Sequence, residues 1–319
     1  MIKKNNWKAW IYLSPVIILM AVFIFYPLFS TIGIAFLKDY NYLTQTSKGF
    51  TWENFGMVLG LVGKDAEGNS VWGFGQSIVN GVGVSYNTYV IRYAIPNTLI
   101  IVFVTVPIST VIALLISVGL NSIPWLKKSL QVIFFVPYVT NAIAVGMVFA
   151  VLFDYQGIIN FVLNDMGHPW IDQGASQTRA MFALCVYIIW QALPFKILIF
   201  LSGLAGIDKQ YYDAAKIDAA SRWNTLTKIT VPLLSPQILY VLITSFIGAF
   251  KEYTSVVGLI GGPGTSPGSK NMYTVVYYIY DTIGNNQVQY GAAAAVLLFI
   301  VILLFTAAQF WISKKRVYY

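Results

Sequence analysis

The chain has 319 residues, 57% hydrophobic and 10% charged, against about a quarter charged in soluble domains, which excludes an ordinary soluble enzyme. A mean hydropathy of +0.68 sends the apolar surface into lipid, and six spans of about 20 residues each fit the length with room for loops. Single Cys185 and single His168 exclude an intramolecular disulfide and a Cys/His zinc site within the chain.

Residues 1–8 are a short basic end. The apolar run over 9–36 is too long for a signal-peptide core and no small-residue cleavage site follows it, so it reads as an uncleaved first span. A loop over 37–93 comes next, glycine-rich and aromatic, as in Trp72-Gly73-Phe74-Gly75. Loops of this length usually have a function or structure of their own; outward aromatics suit a protein partner or the face of a sugar. Further spans are expected over 94–119, 130–153 and 180–204, then a polar segment over 205–230, a fifth span over 231–258, a loop over 259–290, a sixth span over 291–312 and a tail over 313–319. Prolines within or beside these runs (Pro15, Pro27, Pro107, Pro137, Pro194, Pro236) are tolerated in bundled membrane helices as kinks.

Charge sets the orientation, because cytoplasmic loops carry the excess of Lys and Arg. With the N-terminus inside, Lys3, Lys4, Lys8, Lys127, Lys128, Lys209, Lys216, Arg222, Lys228, Lys314, Lys315 and Arg316 are cytoplasmic. Outside lie Lys38, Lys48, Lys64, Arg92, Arg179 and Lys270, with most of the carboxylates. The net charge of +8 is therefore topology rather than a nucleic-acid footprint. Both termini are expected in the cytoplasm.

The segment between spans four and five does not belong to lipid. Asp208 is placed to cap a helix, Ala214, Ala215, Ala219 and Ala220 favour one, and the pairs Asp213/Lys216 and Asp218/Arg222 have supporting spacings. Small side chains let another protein approach the backbone, so the helix suits a partner's groove; a capped interfacial helix without a partner is the equal alternative.

The residues Asp213-Ala214-Ala215, Asp218-Ala219-Ala220 and Val231-Pro232 resemble the EAA loop of membrane subunits of ATP-binding-cassette importers, with Ser221-Arg222-Trp223 following as in that family. Asp213 stands where the family has Glu, and Ala219 where it has Gly. The second change removes the residue that bends most cheaply, so either a tighter turn or a helix running straight through is expected near Ala219. Tyr26-Pro27-Leu28, Trp52-Glu53-Asn54-Phe55, Asn97-Thr98, Gly261-Gly262-Pro263-Gly264 and Tyr290-Gly291-Ala292-Ala293 are similar to stretches of the carbohydrate-importing branch. Residues 62–90 look like an insertion.

The resemblance implies an all-α integral membrane protein of six transmembrane helices, with the type I importer permease fold. It implies a carbohydrate pathway, formed of oligosaccharide-sized substrate by preference, shared with a second permease subunit. Two ATP-binding subunits below would use ATP and Mg, an extracytoplasmic solute-binding protein would dock above, and this chain would bind no cofactor itself. Asp213, Ala214, Ala215, Asp218, Ala219, Ala220 and Arg222 would couple to the ATPase. Residues 262–270 lack the Gly-Lys-[Ser/Thr] of a phosphate loop, so energy comes from another polypeptide.

For the solute path, aromatic faces and amide, hydroxyl or carboxylate groups are expected. Trp190, Gln191, Phe195, Ser245, Glu252 and Tyr253 on spans four and five provide them, with Tyr138 and Asn141 on span three as further candidates. Lys196 and Lys251 either face a cavity or snorkel to the interfaces; Glu252 has the better claim to a cavity. An ion-coupled secondary transporter is the competing reading, and glycerol phosphate or another polyol the competing solute. A Ser/His intramembrane hydrolase fails because His168 falls in an outer loop.

Overall fold

The computed structural model describes residues 6–65, 70–73, 77–79, 82–86, 89–123, 132–133, 136, 138–164, 168–171, 174–261 and 271–313. Lys3, Lys4, Glu67, Phe74, Gly75, Lys127, Lys128, Pro137, Asp165, Asp172, residues 262–270, Lys314, Lys315 and Arg316 lie outside the described residues. Two compact units emerge: residues 1–88 with 278–299, and residues 89–277 with 300–319.

In the first unit, α1 (Asn6–Met20) and α2 (Tyr26–Ala35) form one long apolar rod, joined through a π-helical turn over Ala21–Phe25. Then come α3 (Glu53–Val58) and four strands, β1 (Val62–Lys64), β2 (Ser70–Trp72), β3 (Ser77–Val79) and β4 (Val82–Tyr86). They pair antiparallel in the order β2-β1-β4-β3, with Val62 opposite Trp72, Gly63 opposite Tyr86 and Ser77 opposite Val84. The all-α expectation is corrected here: the inserted stretch is rich in Val and Tyr, which fit a pleated sheet. Asn54 fastens α3 to the end of α2 by donating to the carbonyls of Ala35 and Leu37, both at 2.9 Å. Beside it Ser70 donates to Glu53 at 2.7 Å and Lys38 pairs with Glu53 at 3.2 Å. The Ser70 bond, then Lys38, holds the Glu53 carboxyl below its ordinary pKa despite partial burial.

The second unit contains α4 (Ile95–Ile100), α5 (Val106–Asn121), α6 (Ala142–Leu152), α7 (Ile158–Leu163) and α8 (Gln177–Ala205). It continues with α9 (Lys209–Ile217), α10 (Arg222–Thr225), α11 (Val231–Leu233), α12 (Ser235–Phe250) and α13 (Thr254–Ile260). Two further helices, α14 (Val275–Gly284) and α15 (Val288–Ser313), each straddle the division between units. Ala113 and Leu120 of α5 pack on Ile197, Phe200, Leu201 and Leu204 of α8, with Leu234 and Val241 completing the core. Asn97, fully buried, donates to the carbonyls of Asn271 and Tyr273 and accepts from Gln177, binding the start of the second span to the segment before α14 and to the first residue of α8.

The prolines act locally. Four π-helical turns, Ala21–Phe25, Val90–Ala94, Ile101–Thr105 and Leu226–Thr230, each end two residues before a proline: Pro27, Pro96, Pro107 and Pro232. Proline has no N–H and its ring crowds the carbonyl four residues back, and widening the preceding turn relieves that crowding. Thus Tyr26 N bonds Ala21 O, Ile95 N bonds Val90 O and Val231 N bonds Leu226 O, all five residues back.

Among the described residues four helical runs are long and apolar enough to cross a membrane: Trp10–Ala35, Val90–Asn121, Gln177–Ala205 and Val288–Ser313. They match the first, second, fourth and sixth expected spans. The third is not continuous, because Asn141 accepts from Ile143 N at 2.9 Å and starts a fresh helix at Ala142. Its side chain is therefore a helix cap. The fifth is interrupted at both ends: residues 222–233 meet Ser235–Phe250 at 69°, and the helix stops again at Lys251 before restarting at Thr254.

Span three and α13 meet glycine to glycine. A Cβ on Gly146 would stand 2.6 Å from the Gly258 Cα, whereas one on Gly33 would meet nothing within 4 Å. Gly146→Ala should therefore cost about 1–3 kcal/mol by overpacking, while Gly33→Ala is neutral or gains up to about 1 kcal/mol. Thermal denaturation of the two variants in detergent checks the difference; equal stability would refute the close crossing.

Candidate functional site

A cavity of about 220 Å³ lies within the second unit. One wall is α8, where Ile188, Gln191, Ala192 and Lys196 follow helical spacing and so share a face. Thr105, Val106 and Ser109 of the second span form another, Ser245, Gly248 and Ala249 of α12 a third, and Glu252 and Ser255 the last. Of the six residues expected to line a solute path, the cavity brings together Gln191, Ser245 and Glu252. The other three lie elsewhere: Trp190 packs on Phe149 (ring centroids 5.3 Å), Phe195 stacks on Tyr138 (5.8 Å) and Tyr253 tilts against Tyr277 (5.9 Å).

Lys196 does not snorkel. Only 2% exposed, it donates to Ser109 Oγ at 2.7 Å, Thr110 Oγ1 at 3.1 Å and the Val106 carbonyl at 3.4 Å. These three acceptors match the three donors of an ammonium group. Ser109 and Thr110 pass their own protons to the carbonyls of Thr105 and Val106, so the amine closes a network that ties α8 to α5. The signal for it in the sequence was the hydroxyl row Thr105, Ser109, Thr110 and Ser117 on one side of an otherwise apolar run.

Lys251 and Glu252 part company as expected, but by a different geometry. The helix has ended there, leaving Lys251 exposed and Glu252 turned to the cavity. Glu252 Oε1 accepts from Ser255 N at 2.9 Å, satisfying one open N–H at the start of α13. Gln191 Oε1 is buried with no hydrogen-bond partner among the described residues. A solute hydroxyl is the complement of such an acceptor.

The segment after α8 folds as two capped helices around a sharp turn. Asp208 accepts from Gln210 N at 2.9 Å, as its N-cap position requires, and Lys216 pairs with Asp213 at 3.1 Å. The α9 helix stops at Ile217, so the straight-through alternative is ruled out. Ala219 takes φ +50, with Ala219 N bonding Lys216 O at 3.1 Å and Ala220 N bonding Ala215 O at 2.9 Å. This is a Schellman ending with alanine in the left-handed position that glycine usually fills. Ser221 then caps α10 by accepting from Asn224 N. The break separates Asp218 from Arg222, and no ion pair joins them among the described residues.

The alanines face different ways. Ala215 is buried, Ala220 lines an inner cavity with Arg222, and Ala214 and Ala219 are exposed. Sequence reasoning passed over Tyr211, Ile217 and Trp223, which stand 53%, 86% and 69% exposed. Tyr211, Ala214 and Ile217 are spaced to form one outward face of α9.

Ala219→Gly should relieve about 1 kcal/mol of left-handed strain, seen as slower amide exchange at Ala220 and its neighbours; unchanged exchange would refute the strained turn. In the purified chain an amine-specific reagent should label Lys251 readily and leave Lys196 unmodified until unfolding, as peptide mass spectrometry would show.

Residues 109–318 match the family model described as binding-protein-dependent transport system inner membrane component. The lactose transport system permease protein LacF of Rhizobium radiobacter is 27% identical over 318 residues, covering 97% of this chain and 95% of that protein. The sulfoquinovosyl glycerol transport system permease protein SmoG of Agrobacterium fabrum is 31% identical over 225 residues, 69% of this chain and 71% of its own. In fold, the chain resembles the crystal structure of a bacterial transporter importing the acidic polysaccharide alginate, with a TM-score of 0.73 at 18% identity over 98% of this chain and 96% of that one. The chain belongs to the family of binding-protein-dependent transport system inner membrane components and is a multi-pass permease of the bacterial inner membrane.

Proposed function

We propose that this chain is one half of the translocation pathway of an ATP-driven carbohydrate importer, with an oligosaccharide as its solute. The observation that carries the reading is the linker: a capped α9, an enforced turn at Ala219 and an outward face of Tyr211, Ala214 and Ile217. That is a small, stiff, partly apolar projection suited to a groove on an ATPase. Of the linker residues, Asp213, Ala214, Asp218 and Ala219 belong with this face, while Ala215 supports it from inside.

The chain crosses the membrane six times with both ends in the cytoplasm; spans three and five are the broken ones. A second permease subunit completes the path, two ATP-binding subunits hydrolyse ATP with Mg, and a solute-binding protein docks on the outer side. A neighbouring alginate transporter structure contains a periplasmic protein bound to an alginate pentasaccharide. This chain supplies no nucleotide chemistry; movement of the linker switches access between two states.

Carbohydrate as the solute follows from the named sugar permeases among its relatives and from Gln191, Ser245 and Glu252 around one cavity. Glycerol phosphate fits less well, since all three donors of Lys196 are already committed to the protein. The same commitment weakens a proton- or sodium-coupled reading, for which Lys196 and Glu252 were the supports.

In vesicles containing the assembled transporter, oligosaccharide uptake should stop when the ATPase is inactivated and survive collapse of proton and sodium gradients. The reverse pattern establishes a secondary transporter. Ile217→Glu should leave membrane insertion intact and weaken ATPase co-purification about tenfold, the loss of one buried aliphatic contact; full assembly in that variant argues against the docking face.

A further inference from the structure

The inner side of the linker has a site of its own. A cavity of about 900 Å³ opens where α5 and α8 end, walled by Val118 and Leu204 of those helices and by Leu226 beyond α10. Among the described residues, the charged groups lining it are Lys216 and Arg222, and no carboxylate lines it. Lys216 spends one donor on Asp213 at 3.1 Å, and Asp213 itself stays outside the lining. The Arg222 guanidinium has no ion-pair or hydrogen-bond acceptor among the described residues.

Neutral groups on the walls are already occupied: Ser122 donates to Gly119 O at 2.6 Å and Thr225 to Ser221 O at 3.1 Å. Recognition here therefore rests on positive charge. The runs Val90–Asn121 and Gln177–Ala205 both end at this cavity, which puts it at headgroup depth with apolar helix surface leading away from it.

We propose that this cavity binds a phosphate group through Arg222 and Lys216, and that an anionic phospholipid supplies it. An arginine fork and an ammonium around one phosphate are a common solution for that anion, and the apolar walls accept the start of the acyl chains. The bound lipid would join the ends of α5 and α8 to the linker. Only the choice of the cytoplasmic leaflet rests on the proposed topology; binding itself does not depend on transport.

The test uses the assembled transporter, stripped of lipid in detergent and titrated with short-chain phosphatidylglycerol, phosphatidylcholine of equal chain length, and inorganic phosphate. Native mass spectrometry reads occupancy. Phosphatidylglycerol should bind, phosphatidylcholine should not, and the double substitution K216Q/R222Q should weaken binding about tenfold while K216R/R222K retains it. Competition by inorganic phosphate that vanishes in K216Q/R222Q also supports the site and adds the free anion as a source. Unchanged affinity in K216Q/R222Q, equal binding of phosphatidylcholine, or equal loss in both double variants overturns it. Because occupancy is measured apart from uptake, loss of ATP-driven transport with binding retained counts against the importer reading alone.

Discussion

A backbone amide or carbonyl in hydrocarbon has no water to bond, and most of this molecule's departures from a plain helix answer that constraint. Prolines remove donors inside the spans, and wide turns before Pro27, Pro96, Pro107 and Pro232 absorb the crowding while keeping the remaining amides paired. Hydroxyls follow the same rule. Thr98, Thr105, Ser109, Thr110 and Ser117 all donate to a carbonyl three or four residues back in their own helix. With their protons spent, Ser109 and Thr110 present lone pairs, and a buried ammonium becomes tolerable beside them.

The same constraint decides where a helix can stop. The break at Lys251–Tyr253 opens amides at the start of α13 and a carboxylate covers one of them. Glu252 thus has two duties, capping a helix and placing a carboxyl group on the cavity wall. A fully helical span five would have buried its amides in its own ladder and offered the cavity only side chains. Irregular backbone within a membrane is stable where it lines such a space, so the interruption and the cavity explain each other.

Much of this was legible in the residues. Four spans are recovered within a few positions because length and apolar composition are enough to define them. Asp208 and the Asp213/Lys216 pair were readable because capping and helical spacing act within one turn. The Asp218/Arg222 pair failed for a reason equally local: spacing presumes a continuous helix, and the left-handed Ala219 ends it. Lys196 was unreadable alone, since snorkelling and burial differ only in what the neighbouring helix offers, and that helix lies some 90 residues away in sequence. Half of the expected path residues miss the cavity because composition identifies aromatic groups without assigning the face they occupy; Trp190 and Phe195 found ring partners instead. The sheet in the inserted loop escaped because its strands are three to five residues long.

Ala219 shows how the linker divides its labour. A glycine at that position would hold the turn at little strain; alanine holds it against about 1 kcal/mol of left-handed strain, so the bonds around the turn must fix it. The two Schellman bonds tie the turn to Ala215 and Lys216, on the very helix whose outer face carries Ile217. In the proposed docking role, a push on Ile217 would be carried through this short, hydrogen-bonded turn to Ala215 on the same helix. A stiff turn transmits displacement where a flexible one would dissipate it, and coupling between two sites needs such an element with few arrangements of its own.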